Sequence, residues 1–238
     1  MNFVLRSALA SQYASKFPAP GTHLHRYAQQ VNCAEINSSF YRPHQKKIYE
    51  RWADSTPAPF RFCVKAPKQI THDQRLADPH AILDRFADET AGLGKKLGAV
   101  LVQLAPSLAF DKTLAGNFFK ALDQRISAPA VCEPRHASWF TPEVDAWLAK
   151  RRIAGVGADP ARVPEAAEPG GWRGLSYFRL HGSPRMYYSA YTPAFIKTLS
   201  RRAKAQRVPV WCIFDNTAAG AALGDALSTM RQLAPAIT

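Results

Sequence analysis

Ser176-Tyr177-Phe178-Arg179-Leu180-His181 carries the alternation on which the fold turns. Successive side chains of a strand point to opposite faces, so Tyr177, Arg179 and His181 share one face while Phe178 and Leu180 share the other. The apolar face suits helices. A face holding Arg179 and His181 must look onto partners for its charges, as in a barrel interior. Arg61 to Lys65 repeats the pattern, with Cys63 and Lys65 opposite Phe62 and Val64. Further Val/Ile/Leu/Phe-rich runs follow the same style at Asn2 to Arg6, Cys33 to Ile36, Ala99 to Leu104, Ala130 to Glu133, Ile153 to Ala158 and Val208 to Phe214. Helical patterns separate them, which argues for βαβ units and a parallel sheet. Eight such strands predict an α/β fold of the TIM-like (β/α)8 type, as a single domain over residues 1–238.

The intervening segments carry physical start and stop signals. Asp78-Pro79, Thr141-Pro142 and Thr192-Pro193 each place a capping side chain before a proline whose fixed φ suits a first helical turn. Thr22 to Gln30 reads as the helix after the first strand. Three helical faces are expected to pack on the barrel: Ile82, Phe86, Thr90 and Leu93; Val144, Trp147 and Leu148; and Leu223, Ala226, Leu227 and Met230. Asp159 to Gly174 holds three prolines, three glycines and no apolar period. A long loop is therefore predicted to replace the helix after the sixth strand, making the barrel irregular.

Composition narrows the classes. The chain has 238 residues, 47% of them hydrophobic, yet no apolar run approaches the roughly 18 residues that cross a bilayer. A soluble, cytoplasmic protein with no membrane partner is expected. No acidic residue precedes Glu35, which fits a transit peptide, but the same residues complete the fold as strand and helix, and that reading is preferred. Cys33, Cys63, Cys132 and Cys212 are widely spaced and lie in apolar runs, so they read as free thiols rather than disulfides or zinc ligands. The net charge of +13 invites a nucleic-acid partner. Lys95-Lys96, Lys150-Arg151-Arg152 and Arg201 to Arg207, however, fall near predicted helix C-termini, where cations complement the helix dipole. In a β/α barrel that is the face opposite the usual site.

Polar residues recur where strands end. Glu35, Lys65, Gln103, Glu133, Asp159, His181 and Asn216 lie at or just past seven of the eight strand ends, which converge in a barrel on one pocket. Glu35 and Glu133 are the partners at hand for the inward charges of Lys65, Arg179 and His181. In Glu133-Pro134-Arg135-His136-Ala137-Ser138-Trp139, Glu133 suits a general base or metal ligand, Arg135 an anion clamp and His136 an acid, base or ligand. Equally, Arg135 neutralises Glu133 and Trp139 plugs the barrel mouth. Lys65 to His72 brings two lysines, Thr71 and His72 into one loop over the same face, which suits phosphate or carboxylate, or is a basic surface loop. Tyr41, Trp139, Tyr187, Tyr188 and Tyr191 follow strands and either rim the mouth or pack the loops. No GxSxG, Walker or GxGxxG motif occurs, and the carboxylates and histidines lack a tight ligand spacing, so no residue is assigned to a metal and no cofactor is assigned.

Six stretches in order, Val31 to Arg42, Phe62 to Pro67 with Ile70-Thr71-His72, Leu97 to Leu104, Glu133 to Trp139, Arg179 to Gly182 and Phe214 to Thr217, resemble the successive signatures of the YecE-like family, domain of unknown function 72 (DUF72). The resemblance spans nearly the whole chain. It implies a TIM-barrel-like fold and a bacterial cytoplasmic setting, with no established activity. It also implies a pocket set of Glu35, Asn37, Tyr41, Lys65, His72, Gln103, Glu133, Arg135, His136, Arg179, His181 and Asn216. The chain departs from the family at Leu5 to Ala10, where a glycine-rich turn ending in tryptophan is usual, and Arg6 or Ser7 would alter one pocket wall. It also departs at Ala105-Pro106 and Asp215-Asn216.

The expected function is an enzyme, a hydrolase or isomerase, working by acid/base chemistry on a small anionic or polyhydroxylated substrate such as a phosphorylated sugar. Glu133, His136, Glu35, Lys65 and His181 are assigned to catalysis. Arg135, Arg179, Asn37, Tyr41, His72, Gln103, Asp159 and Asn216 are assigned to substrate binding. The alternatives are a nucleic-acid-binding or phosphodiester-processing barrel and a noncatalytic ligand-binding protein.

Overall fold

The computed structural model describes residues 21–234. The expected first strand, Asn2 to Arg6, and the wall expected from Arg6 or Ser7 lie outside the described residues. The strands are β1 (Cys33–Ile36), β2 (Arg61–Lys65), β3 (Leu97–Gln103), β4 (Ala130–Glu133), β5 (Ala154–Asp159), β6 (Gly170–Gly171), β7 (Ser176–Leu180) and β8 (Val210–Phe214). They pair in the order β1-β2-β3-β4-β5-β7-β8, all parallel, while the two-residue β6 lies antiparallel on β5. The sheet curls almost into a TIM-like barrel, for Arg179 of β7 reaches Glu35 of β1 and Glu133 of β4 across the interior.

Helices fill the connections: α1 (His23–Ala28), α2 (Ser38–Tyr41), α3 (Lys46–Asp54), α4 (His80–Ala91), α5 (Lys112–Asp123), α6 (Pro142–Lys150), α7 (Pro193–Ala205) and α8 (Ala221–Leu233). Outward-pointing Phe62, Val64, Val100 and Val102 meet Phe86 of α4 and Phe118 of α5 in the larger core cluster. Inward-pointing Cys63, Ala99, Leu101, Val131, Val156, Tyr177, Trp211 and Ile213 fill the barrel interior. Thr141 and Thr192 cap α6 and α7 through hydrogen bonds from Val144 N and Phe195 N. Asp78 does not cap α4. It has φ of 39°, and Pro79 stands at the cap position, its carbonyl accepting from Leu83 N at 2.8 Å. The faces of α4 and α6 are buried as expected, but that of α8 is not: its buried residues are Asp225 and Thr229, and Met230 is exposed.

Lys96 shows what the helix-end cations do: its ammonium donates to Ala53 O and Thr56 O at the C-terminal end of α3, at 2.5 and 2.6 Å. The four cysteines are free thiols, with Cys63 and Cys132 buried and Cys33 and Cys212 half-buried. Among the described residues, no helix is long and apolar enough to cross a membrane.

The connection from β5 to β7 has no α-helix, only a 3-10 turn at Pro164–Ala167 and β6. Its backbone lies directly on β5 because that strand carries glycine there. A Cβ at Gly157 would stand 2.8 Å from Pro169 N, and one at Gly155 3.1 Å from Gly170 C. Gly157→Ala is accordingly expected to destabilise the fold by about 1–3 kcal/mol, since the obstructing atoms are backbone. Gly116→Ala, within α5 and meeting only Trp147 at 3.8 Å, should stabilise it by roughly 0.5–1 kcal/mol. Urea denaturation of the two variants beside the parent checks both signs.

Candidate functional site

Arg179 organises the polar end of the barrel. Its β7 parity turns it inward above Tyr177, and its side chain is fully buried. Nε and Nη2 hold Glu35 at 3.1 and 2.7 Å, Nη1 holds Glu133 at 2.6 Å, and Nη2 also reaches Asp215 at 3.2 Å. Tyr177 Oη donates to Glu35 Oε2 at 2.8 Å. Four of the five guanidinium N–H groups are thus committed to three carboxylates from β1, β4 and the end of β8. Burial disfavours the charge of Arg179, and the carboxylates more than compensate, raising its proton affinity further.

His181, just past β7, sits 3.2 Å from Asp215 through Nδ1 and 3.4 Å from Glu133 through Nε2. Burial works against imidazolium, but hydrogen bonding to Asp215 and Glu133 prevails and its pKa is raised. Glu133 and Asp215 respond in the opposite sense. Burial alone would raise both, yet Arg179 and His181 hold Glu133 far below the usual carboxylate range and Asp215 below its own.

Lys65 is treated differently. Its ammonium donates to Gln103 Oε1 at 2.8 Å and lies 4.1 Å from the centre of the Phe40 ring, while Gln103 Nε2 donates to Glu133 at 2.9 Å. Lys65 is 7% exposed, and no carboxylate of the described residues lies in ion-pair range of it. Burial and the Arg179 charge push it down to about 8. Among the described residues, no three His, Cys, Asp or Glu side chains are placed to hold a metal ion; Arg179 itself stands between Glu35, Glu133 and Asp215.

A cavity of about 680 Å³ opens above this cluster. Glu35, Lys65, Gln103 and Asp215 form its polar floor, and Asn37, Tyr41, Lys68, His72, Arg135 and Tyr187 its wall. A second, apolar wall runs between β8 and β1, with Cys33, Cys212, Leu223 and Ala226. Asn37 Oδ1 is buried without a hydrogen-bond partner among the described residues. His72, whose ring bonds Thr71 at 2.9 Å, is lowered by burial and by the charges of Lys65 and Lys68. Tyr41 is 74% exposed.

Several expected residues are elsewhere. Arg179 does not line the cavity, and its donors are occupied, so it arranges carboxylates rather than clamping an anion. Glu133 and His181 lie behind the floor. His136 turns away: its Nδ1 accepts from Ser138 N at 3.2 Å and caps the turn at Ala137–Trp139. Asp159 accepts from the Tyr191 hydroxyl at 2.8 Å, and Asn216 donates to Ser189 O and Asp225, tying α8 to the loop after β7. Trp139 is buried against Phe110, its Nε1 donating to Leu108 O, and Tyr191 is buried against Phe195; neither rims the mouth. Asp215 was not among the expected site residues. Its signal was parity, since Trp211, Ile213 and Asp215 continue the inward face of β8 by one step beyond the apolar run.

A model of the family described as protein of unknown function DUF72 matches residues 5–237. The UPF0759 protein YecE of Escherichia coli K12 is 31% identical over 83 residues, 35% of this chain and 30% of YecE. The UPF0759 protein YunF of Bacillus subtilis is 30% identical over 125 residues, 50% of this chain and 44% of YunF. The matched stretches therefore span less than half the length of these curated relatives. The crystal structure of a DUF72 family protein from Enterococcus faecalis superposes with a TM-score of 0.78 at 20% identity, covering 96% of this chain and 94% of the other. This likeness bears on the fold. With the family model covering nearly all of its length, the chain belongs to the DUF72 family.

Proposed function

We propose that the cavity binds a small anionic, hydroxyl-bearing molecule and carries out proton-transfer chemistry on it. The observation that carries this reading is the division of charge at the strand ends. The three strand-end carboxylates are neutralised by Arg179 and His181, while Lys65 is left buried, facing the cavity and without a carboxylate in ion-pair range among the described residues. A buried cation without an ion-pair contact is costly unless a ligand supplies a nearer counter-charge. Arg135 and Lys68 extend the same sign along the wall, Lys68 also pairing with Asp73, while His72, its pKa lowered by burial and these charges, stands there as a neutral hydrogen-bonding ring. Arg135 supplies a planar fork for phosphate or carboxylate. Asn37 Oδ1 is an acceptor awaiting a donor, as a hydroxyl would provide.

In this scheme Lys65 and Asp215, both lining the cavity, are the proton-transferring groups, and Glu35, held by Arg179 and Tyr177, is the fixed carboxylate beside them. An amine near 8 exchanges its proton readily around neutral pH. Asp215 is hydrogen-bonded to His181 Nδ1, so that a proton accepted at Asp215 can pass to the imidazole, whose Nε2 lies 3.4 Å from Glu133. Glu133 and His181, expected as catalysts, serve in this scheme as positioning groups.

The first test is thermal stability of the protein with inorganic phosphate, sugar phosphates, nucleotides and short oligonucleotides. A ligand of the native state raises Tm by mass action, by about 2.7 kcal/mol of stabilisation at one hundred times its Kd. Stabilisation by a sugar phosphate that is lost in Arg135→Ala is the expected outcome. Stabilisation by oligonucleotides alone, falling steeply with salt, would overturn it in favour of phosphodiester binding at the mouth.

A second expectation concerns Lys65 in the ligand-free protein. Its pKa is lowered on folding, so the native state disfavours the ammonium below about pH 8, and stability rises as pH climbs from there toward the ordinary lysine value. Lys65→Met should therefore be more stable than the parent at pH 7, by on the order of 1–3 kcal/mol, with the gain shrinking toward pH 10. Denaturation curves at both pH values decide it; a variant less stable than the parent at pH 7 would mean that Lys65 serves the fold.

A further inference from the structure

We propose that Lys65 is a nucleophile whose amine condenses with the carbonyl carbon of an anionic aldehyde or ketone to form an imine in the cavity. This deepens the proposed function, on which it rests, by naming the substrate class. Gln103 is the device that makes it possible. Because its Nε2 donates to Glu133, its Oε1 must face Lys65, so a neutral amide stands between the lysine and the nearest route to a carboxylate. A lysine kept for charge pairing would have met Glu133 directly. Instead one N–H is held by an uncharged acceptor, and when the amine is neutral its lone pair remains available on the cavity side.

The surroundings favour that neutral form. Desolvation and a neighbouring cation are the two conditions that activate a lysine amine toward carbonyls. Lys65 has both, in its burial and in Arg179, opposed by Glu35, Glu133 and Asp215. Around it are also His72 and Lys68 on the loop after β2 and Arg135 after β4, all lining the cavity. Lys68 and Arg135, the cations among them, suit the anionic group of the substrate, leaving its carbonyl over the floor.

The chemistry balances without a further reactant. The nitrogen lone pair forms the C–N bond as the carbonyl π pair moves to oxygen. Both protons of the neutral amine pass to that oxygen, which leaves as water with the C–O pair, and the nitrogen lone pair completes the C=N bond. Asp215 faces the cavity and is bonded to His181, whose proton affinity is raised, so the pair can carry these protons between nitrogen and oxygen. The imine then acidifies the adjacent C–H, which gives the acid/base groups of the floor their work.

The test uses the full chain with glyceraldehyde 3-phosphate or acetaldehyde as probe and cyanoborohydride to trap the imine, read by intact mass and peptide mapping. The expected result is one adduct on Lys65, formed roughly tenfold or more faster than on any other lysine at pH 7.5, and absent from Lys65→Met. Labelling spread evenly over surface lysines, or a Lys65 that reacts no faster than in the urea-unfolded chain, overturns the proposal. Inorganic phosphate separates the two readings. Stabilisation by phosphate with no adduct on Lys65 refutes the nucleophile and keeps the anion site, whereas an adduct formed as fast with acetaldehyde as with the phosphorylated aldehyde keeps the nucleophile and refutes the anion site.

Discussion

A guanidinium with nowhere to go but inward sets the terms for the rest of this molecule. Once Arg179 is placed inside the barrel by strand parity, its charge and donors must be satisfied, and water is not available there to do it. Glu35, Glu133 and Asp215 answer from β1, β4 and the end of β8. The pairing therefore couples strands that are not sheet neighbours. It also fixes the depth at which the barrel interior changes from apolar to polar, with Tyr177, Ile213 and Trp211 below and the carboxylates above. Arginine suits this position better than lysine, since its planar fork reaches several carboxylates at once and keeps its proton.

Lysine occupies the other buried cationic position, and the contrast is chemical. An arginine at residue 65 would remain charged whatever its surroundings. A lysine there yields to burial and moves to about 8. The barrel thus holds one cation that cannot change its state and one that can, separated by Gln103 and Glu133. A stability-driven core would have neither, because buried ion pairs rarely outperform apolar packing.

How much of this was legible in the sequence depends on the range of the interaction. Period-two alternation showed Lys65, Arg179 and His181 pointing inward and marked Glu35 and Glu133 as partners, because parity is local and strand ends are bounded by a change of composition. The loop after β5 was legible from its prolines and glycines, although the reason it packs there, bare backbone at Gly155 and Gly157, was not. Parity does not reveal which donor takes which acceptor. His136 is taken by the amide two residues away and Asp159 by a tyrosine from a distant loop, and nothing in strand-end position distinguishes them from Glu35. Asp215 escaped because the apolar run stops at Phe214 while the strand's geometry continues one residue further. For α8, helical periodicity identifies an apolar stripe but not what lies opposite it, and among the described residues Leu223 and Ala226 line the cavity.

The positive excess of the chain has to be read by location. Lys96 is committed to the carbonyls at the end of α3, Arg202 to Ala167 O and Glu168, and Arg125 to Asp84 and Ala121 O, and none of the three lines the cavity. Each satisfies backbone or carboxylate groups that the fold itself creates. Near the cavity the balance is closer: Lys68 is paired with Asp73, Arg179 and His181 are matched by carboxylates, and among the described residues Lys65 and Arg135 have no carboxylate in ion-pair range. On the proposed reading, two cations without ion-pair contacts at one cavity match a single anionic group. A polyanion would call for a track of such charges along the surface. Net charge alone points to a polyanion, whereas the distribution of partners is the ground on which the small anionic ligand is proposed.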